Sequence, residues 1–205
     1  MKAKVCGLSD AEHVKTCVNL DTDYCGFILN YPKSHRFIQL EKAKELTSIK
    51  KKNTKYVGVL VSPKNEELEK FSKLNIDYFQ IYGNYNEKLI SNIKLKFNKK
   101  IIVAIQVQRE RDVFNYKQFE NVADIILWDS SGFERSLDWN FEWIKSIPNN
   151  ITKMIGGNVN IDKLEKIFKL TDIVDVSSAL ETNKVKDMSK VKNFLNNVKE
   201  LNNEN

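Results

Sequence analysis

Five places in the chain carry residues whose chemistry goes beyond packing: Cys6, Arg36, Asp129, Gly156-Gly157 and Ser177-Ser178-Ala179. A thiol and a carboxyl are groups that can move a proton. A guanidinium presents a planar fork that suits a carboxylate, and glycine lets backbone N–H groups come close to an anion. Each also has a plainer reading. Cysteine is often a small buried hydrophobe. Asp129, followed by Ser130-Ser131-Gly132, reads equally as a turn or a helix cap. Arg36 reads as a solvated loop residue and Gly156-Gly157 as a tight turn. What joins the five is position, since each lies at or just past a segment with strand character.

Those segments set the frame. Short β-branched or apolar runs at 3–6, 25–29, 56–61, 78–81, 101–105, 125–128, 151–155 and 173–176 predict strands. Between them the apolar spacing turns to three and four. It predicts helices over 9–20, 87–97, 139–147, 161–170 and 188–201, and another opened by Ser62-Pro63 in the manner of an N-cap and N1 proline. Ser9-x-x-Glu12 reads as a capping box for the first, and the polar tail 202–205 as frayed. Strand and helix alternate about eight times, at about 26 residues per unit, near the lower size limit of a complete barrel. The expected fold is a single-domain α/β (β/α)8 TIM barrel of parallel strands spanning residues 1–205. In that fold active residues gather at strand C-termini. A doubly wound open sheet is the competitor, weakened because no Gly-x-Gly-x-x-Gly turn follows the first strand.

Bulk properties narrow the function classes. With 205 residues, 41% hydrophobic and 29% charged, the chain can bury a core without disulfides or a structural metal. No run approaches the roughly 18 apolar residues of a membrane span, and the N-terminus lacks a signal-peptide core. The expected location is the cytoplasm. A net charge of +6 raises the question of nucleic acid. The lysines, however, are scattered along helical segments such as Lys42-Ala43-Lys44 among acidic residues, and Lys50-Lys51-Lys52 is the one sharp basic run. No nucleic-acid or membrane partner is expected. Three cysteines without a Cys-x-x-Cys pair, together with two histidines, give no zinc pattern and suggest reduced thiols.

Taken together the segments form a pattern. Lys4-Val5-Cys6-Gly7 resembles the Lys-Ile-Cys-Gly opening of phosphoribosylanthranilate isomerases. Gly26-Phe27-Ile28-Leu29 with Tyr31-Pro32-Lys33-Ser34-His35-Arg36 resembles their second-strand motif. Gln80-Ile81-Tyr82-Gly83 resembles Gln-Leu-His-Gly, with tyrosine in place of histidine. Ile126-Leu127-Trp128-Asp129 and Leu137-Asp138-Trp139 are similar to the sixth strand and the Phe-Asp-Trp that begins the next helix. Val174-Asp175-Val176-Ser177-Ser178-Ala179-Leu180-Glu181 with Lys186-Asp187 resembles the last signature. The resemblance spans the chain in order.

It implies an Amadori rearrangement of a phosphorylated small molecule, without metal or cofactor, in a monomer or homodimer. It also implies Asp129 as general acid and Cys6 as general base. Arg36 would take the anthranilate carboxylate, and the phosphate would lie at Gly156, Gly157, Ser177, Ser178 and Ala179. Both catalytic groups start in the wrong protonation state. The expectation is that burial raises Asp129 and a positive environment lowers Cys6. Two departures stand out. Ser131-Gly132-Phe133-Glu134 replaces a glycine-rich loop, and Ala179 replaces a glycine where a positive φ would be costly. They motivate the alternative of a divergent sugar-phosphate-binding barrel, impaired or acting on another aminated ribose phosphate.

Overall fold

The computed structural model describes residues 1–130 and 137–204. Among them, eight parallel strands close into a barrel in chain order. They are β1 (Lys2–Cys6), β2 (Tyr24–Ile28), β3 (Lys55–Val61), β4 (Tyr78–Tyr82), β5 (Lys100–Val107), β6 (Ile125–Ser130), β7 (Lys153–Ile155) and β8 (Ile173–Val176). Six α-helices among the described residues lie in the crossovers and after β8: α1 (Ala11–Asn19), α2 (Leu40–Ser48), α3 (Asn65–Ser72), α4 (Glu87–Phe97), α5 (Leu164–Phe168) and α6 (Met188–Glu204). After β8 the chain makes a small antiparallel hairpin, β9 (Glu181–Thr182) with β10 (Val185–Lys186). Among the described residues no helix is long and apolar enough to cross a membrane.

The strands are apolar on both faces because both are covered. One core cluster lies between barrel and helices, where Phe27, Tyr56, Phe79 and Trp128 pack against Val14, Leu46, Ile90 and Phe194. A second fills the barrel interior with Tyr24, Val57, Val59, Tyr78, Ile102, Leu127, Met154 and Ile173. A strand turns alternate residues to one face. Reading on by two from each interior residue therefore carries Tyr78 to Gln80 and Tyr82, Leu127 to Asp129, and Ile173 to Asp175. The upper end of the barrel is thus polar by register.

Helix ends depart from the sequence expectations for local reasons. Asp10, not Ser9, caps α1, its carboxylate accepting from the N–H groups of Glu12 at 2.8 Å and His13 at 3.3 Å. Ser62 sits at φ +42° and does not cap α3. That helix starts at Asn65, where the Glu67 carboxylate accepts from the Lys64 N–H at 2.8 Å. The helix expected over 139–147 is a 3-10 helix, Phe141–Ser146, and 161–170 holds a 3-10 turn followed by the short α5. A 3-10 helix over Glu110–Gln118 is an addition. The tail is not frayed through Glu204. The helix continues, and the Asn202 side chain accepts from the Met1 ammonium and donates to the Met1 carbonyl at 2.8 Å.

Candidate active site

A cavity of about 810 Å³, its open mouth included, lies at the C-terminal end of the barrel. Cys6 enters it from the end of β1, Arg36 from the segment after β2, Tyr82 from β4 and Asp129 from β6. Gly157 and Ser178 enter from the segments after β7 and β8.

Under Cys6 the barrel holds a fully buried charge. Lys4 and Asp175 are directly opposed in the β1–β8 register, both inward, and their side chains meet at 2.9 Å. Burial alone would lower the Lys4 pKa, but Asp175, helped by Cys6, outweighs it and the ammonium is held protonated. The Lys4 charge also favours the ionised form of the Cys6 thiol. Gly26 makes room, since a Cβ there would stand 2.9 Å from Sγ and 3.2 Å from Lys4 Nζ. The expected lowering of Cys6 is not found. Burial raises the thiol above its ordinary value, Asp175 adds to the rise, and the pull of Lys4 and Lys186 does not overcome them.

Asp129 follows the expected direction. Burial raises it to about 6, and Asp175 adds to this, against hydrogen bonds from Tyr82 and the Ser130 amide and the charge of Lys4. At pH 7 about one Asp129 in ten is then protonated, against about one in a thousand for an ordinary aspartate. The Tyr82 hydroxyl donates to Asp129 Oδ2 at 2.7 Å and accepts from Gln80 Nε2 at 3.1 Å.

Arg36 is anchored by a carboxylate. Its Nε and Nη2 donate to Glu181 at 2.5 and 2.8 Å. Glu181 also accepts from Lys186 Nζ at 2.6 Å and lies 3.1 Å from His35 Nε2. Burial would raise Glu181, but the hydrogen bonds and charges of Arg36 and Lys186 bring it to about 2. One edge of the Arg36 fork is thereby committed. A carboxylate in the cavity would meet the Nη1–Nη2 edge, which is also bidentate.

The residues expected at the phosphate divide. Gly157, at φ +83°, lines the cavity with Ser177 and Ser178. Ser177 is fixed by its hydroxyl, which donates to the Cys6 carbonyl at 3.0 Å. Gly156 stands beside the Asp129 carboxyl, where a Cβ would be 3.1 Å from Oδ1, and its N–H is given to the Trp128 carbonyl at 2.8 Å. Ala179 packs against the outer core inside the 3-10 turn Ser178–Leu180 and is not at positive φ, so the strain expected for a non-glycine there is absent. Leu137-Asp138-Trp139 does not begin a helix. Trp139 Nε1 donates to the Gly156 carbonyl at 3.0 Å, and Asp138 accepts from Asn158 Nδ2 at 2.9 Å, so the pair braces the turn after β7. Ser131-Gly132-Phe133-Glu134 lies outside the described residues.

Residue type alone did not single out Lys4, Tyr82, Asp175, Glu181 and Lys186. Spacing carried a signal for three of them, because Lys4 lies two residues before Cys6 and Asp175 two before Ser177, while Tyr82 ends its strand.

A family model described as N-(5'phosphoribosyl)anthranilate (PRA) isomerase matches residues 3–197. The chain is 33% identical over 204 residues to the N-(5'-phosphoribosyl)anthranilate isomerase of Streptococcus gordonii, covering 97% of this chain and 98% of that one. It is 31% identical over 208 residues to that of Thermoanaerobacter pseudethanolicus, with 97% and 98% covered. Among solved structures, phosphoribosyl anthranilate isomerase from Thermotoga maritima superposes with a TM-score of 0.85 at 26% identity, covering 98% of this chain and 99% of that one. A phosphoribosyl anthranilate isomerase in complex with reduced 1-(o-carboxyphenylamino)-1-deoxyribulose 5-phosphate gives 0.83 at 26% identity, with 98% and 99% covered.

Proposed function

The chain belongs to the N-(5'-phosphoribosyl)anthranilate isomerase family, and from that premise we propose that Cys6 and Asp129 are the proton-transfer pair of its reaction. The protein isomerises phosphoribosylanthranilate in tryptophan biosynthesis. In our reading Asp129 gives its proton to the ribose ring oxygen. The C1–O bond breaks with its electron pair going to that oxygen, and the anilino nitrogen lone pair forms the C1 iminium. The Cys6 thiolate then takes the C2 proton, and the C–H electron pair flows into the iminium. The resulting enolamine tautomerises to the 1-amino-1-deoxyribulose phosphate. No electrons are gained or lost overall.

The observation that carries the assignment is that Cys6 and Asp129 face one cavity from separate strands, with Asp129 pushed up to about 6. The resting pair is carboxylate and thiol, and the working pair is carboxylic acid and thiolate. Lys4, buried beneath the sulfur, favours the thiolate. Arg36, fixed by Glu181, is our candidate for the anthranilate carboxylate. Gly157, Ser178 and the leading amides of the turn after β8 are our candidates for the phosphate, a placement this fold favours. The side chain of Ser177 and the backbone of Gly156 and Ala179 support that corner. We place the enzyme in the cytoplasm as a monomer or homodimer acting on a phosphorylated small molecule, with no nucleic-acid partner.

Complementation of a tryptophan auxotroph lacking this isomerase tests the reading. Growth that depends on both Cys6 and Asp129 is expected. A folded protein that binds phosphorylated ribose compounds yet supports no growth would favour the divergent sugar-phosphate barrel.

A further inference from the structure

The line of polar side chains behind Asp129 belongs to neither substrate subsite. Gln80 and Tyr82 lie two apart on β4 and so share its inward face. Gln80 is fully buried and Tyr82 nearly so. The Gln80 amide donates to the Tyr82 oxygen at 3.1 Å, and the Tyr82 hydroxyl donates to Asp129 Oδ2 at 2.7 Å. With its oxygen accepting from Gln80, the phenol has its proton directed at the carboxyl. Among the described residues the Gln80 carbonyl oxygen accepts no hydrogen bond. The amide is therefore aimed by its N–H side.

We infer that Tyr82 is a positioning residue for the general acid: it ties Oδ2 to β4 and so leaves Oδ1 as the oxygen that carries the proton to substrate. A carboxylic acid has one proton and two oxygens. If either could hold it, half of the protonated enzyme would present the wrong one. A donor pointed at Oδ2 disfavours a proton there and stops rotation of the carboxyl about its Cβ–Cγ bond. Phenol suits the task because burial, with the charges of Asp129 and Asp175 behind it, keeps its own proton on well beyond the ordinary range of tyrosine. The hydroxyl remains a donor at every working pH.

The hydrogen bond has a second effect. It stabilises the ionised carboxyl and restrains the rise that burial imposes on Asp129. Among the described residues the other groups acting on Asp129 are Asp175 from β8, which pushes the same way as burial, and Lys4 from β1 and the Ser130 amide, which oppose it. Removing the Tyr82 hydroxyl should therefore raise Asp129 further. In the pH profile of kcat/KM the low-pH break belongs to the lower of the two catalytic pKa values, which is that of Asp129. It should move upward.

The inference rests on Asp129 being the acid, and the test separates the two. Tyr82→Phe should shift the low-pH break up by about one to two pH units, the size expected for losing a hydrogen bond to a charged group. Gln80→Leu, which loosens Tyr82 without removing it, should shift it less in the same direction, and it carries the test alone if Tyr82→Phe does not fold. Carbon-13 titration of the aspartate carboxyls, with Asp129 identified by its loss in Asp129→Asn, should show the same shifts in the substrate-free enzyme. An Asp129 titration that is unchanged in both variants overturns the inference even if turnover falls, because Tyr82 would then be packing alone. An Asp129→Asn enzyme that keeps its turnover overturns the acid assignment instead, whatever Tyr82 does.

Discussion

Two part-buried carboxyls at the same end of the barrel are driven in opposite directions. Glu181 sits where β9 meets the segment carrying Arg36, and two cations donate to it, with His35 alongside. It is held near 2. Asp129 sits between β4 and β8, where its side-chain donor is a neutral phenol and its nearest charged neighbours include another acid, Asp175. It rises to about 6. Burial pushes both upward, so burial is not what separates them. The charge of the partners does. One carboxyl is fixed as a permanent anion that aims a guanidinium, and the other stays within reach of a proton.

The strongest test of that contrast is turnover. Asp129→Asn should cost at least ~100-fold in kcat, the lower end for a lost general acid, and Cys6→Ala should cost the same. Binding of a product analogue, measured by calorimetry, should survive both. Near-normal turnover in either variant would remove that residue from its role.

Next in size is the guanidinium that Glu181 aims. Arg36→Ala should raise KM by roughly 10–100-fold with a smaller change in kcat, as for a lost charge-assisted fork. An analogue lacking the anthranilate carboxylate should show little of this loss. Glu181→Gln should weaken substrate binding by only about 3–10-fold, since the fork keeps its charge and loses only its anchor.

Stability should carry the two signatures with opposite sign. The folded-state pKa of Glu181 is depressed, so its contribution is present above the ordinary value of 4.5 and disappears as pH falls toward 2. Glu181→Gln should therefore flatten the fall in Tm between about pH 5 and 2. The folded-state pKa of Asp129 is raised, so stability is complete below its ordinary 3.8 and is lost as pH rises through about 6. Asp129→Asn should raise Tm at pH 8 by a few degrees, on the order of 1–3 kcal/mol, and change little at pH 4. Thermal melts of both variants across pH decide it, and parallel curves would show that the two sites do not differ as described.

The smallest effect concerns the turn after β8. Because Ala179 already has ordinary backbone geometry, Ala179→Gly should leave phosphate-ligand affinity within about twofold and cost up to about 1 kcal/mol of stability. A clear gain in affinity would mean that the methyl group obstructs the anion.

Strand positions were legible to within two residues at each end, because a strand buried on both faces needs a continuous apolar run. Cys6 and Asp129 were legible as candidates because they stand where such runs stop, and all three, Arg36 included, because their neighbours resemble a known family. The polar contacts that tune them were not. Lys4 meets Asp175 across 171 residues and Tyr82 meets Asp129 across 47, and only barrel closure creates those neighbours. The direction of the Cys6 shift failed for a related reason. Expecting a positive environment does not weigh the desolvation of a buried thiol. The 3-10 helix at Phe141–Ser146 read as an α-helix because Phe141 and Ile144 bury one face at a spacing of three that an α-helix also allows.

The seam between β1 and β8 joins strands far apart in the chain, and the Cys6 sulfur lies beside it. A ribosome making this protein from its N-terminus releases Cys6 and Lys4 long before the strand that neutralises the ammonium. During that interval the ring is open and the lysine lacks its Asp175 partner. Synthesis of β8 therefore adds the strand that closes the ring and the partner of the buried cation in one step. A chain stalled short of it would have no isomerase activity, so activity in a translation extract reports completed rings and not merely initiated chains.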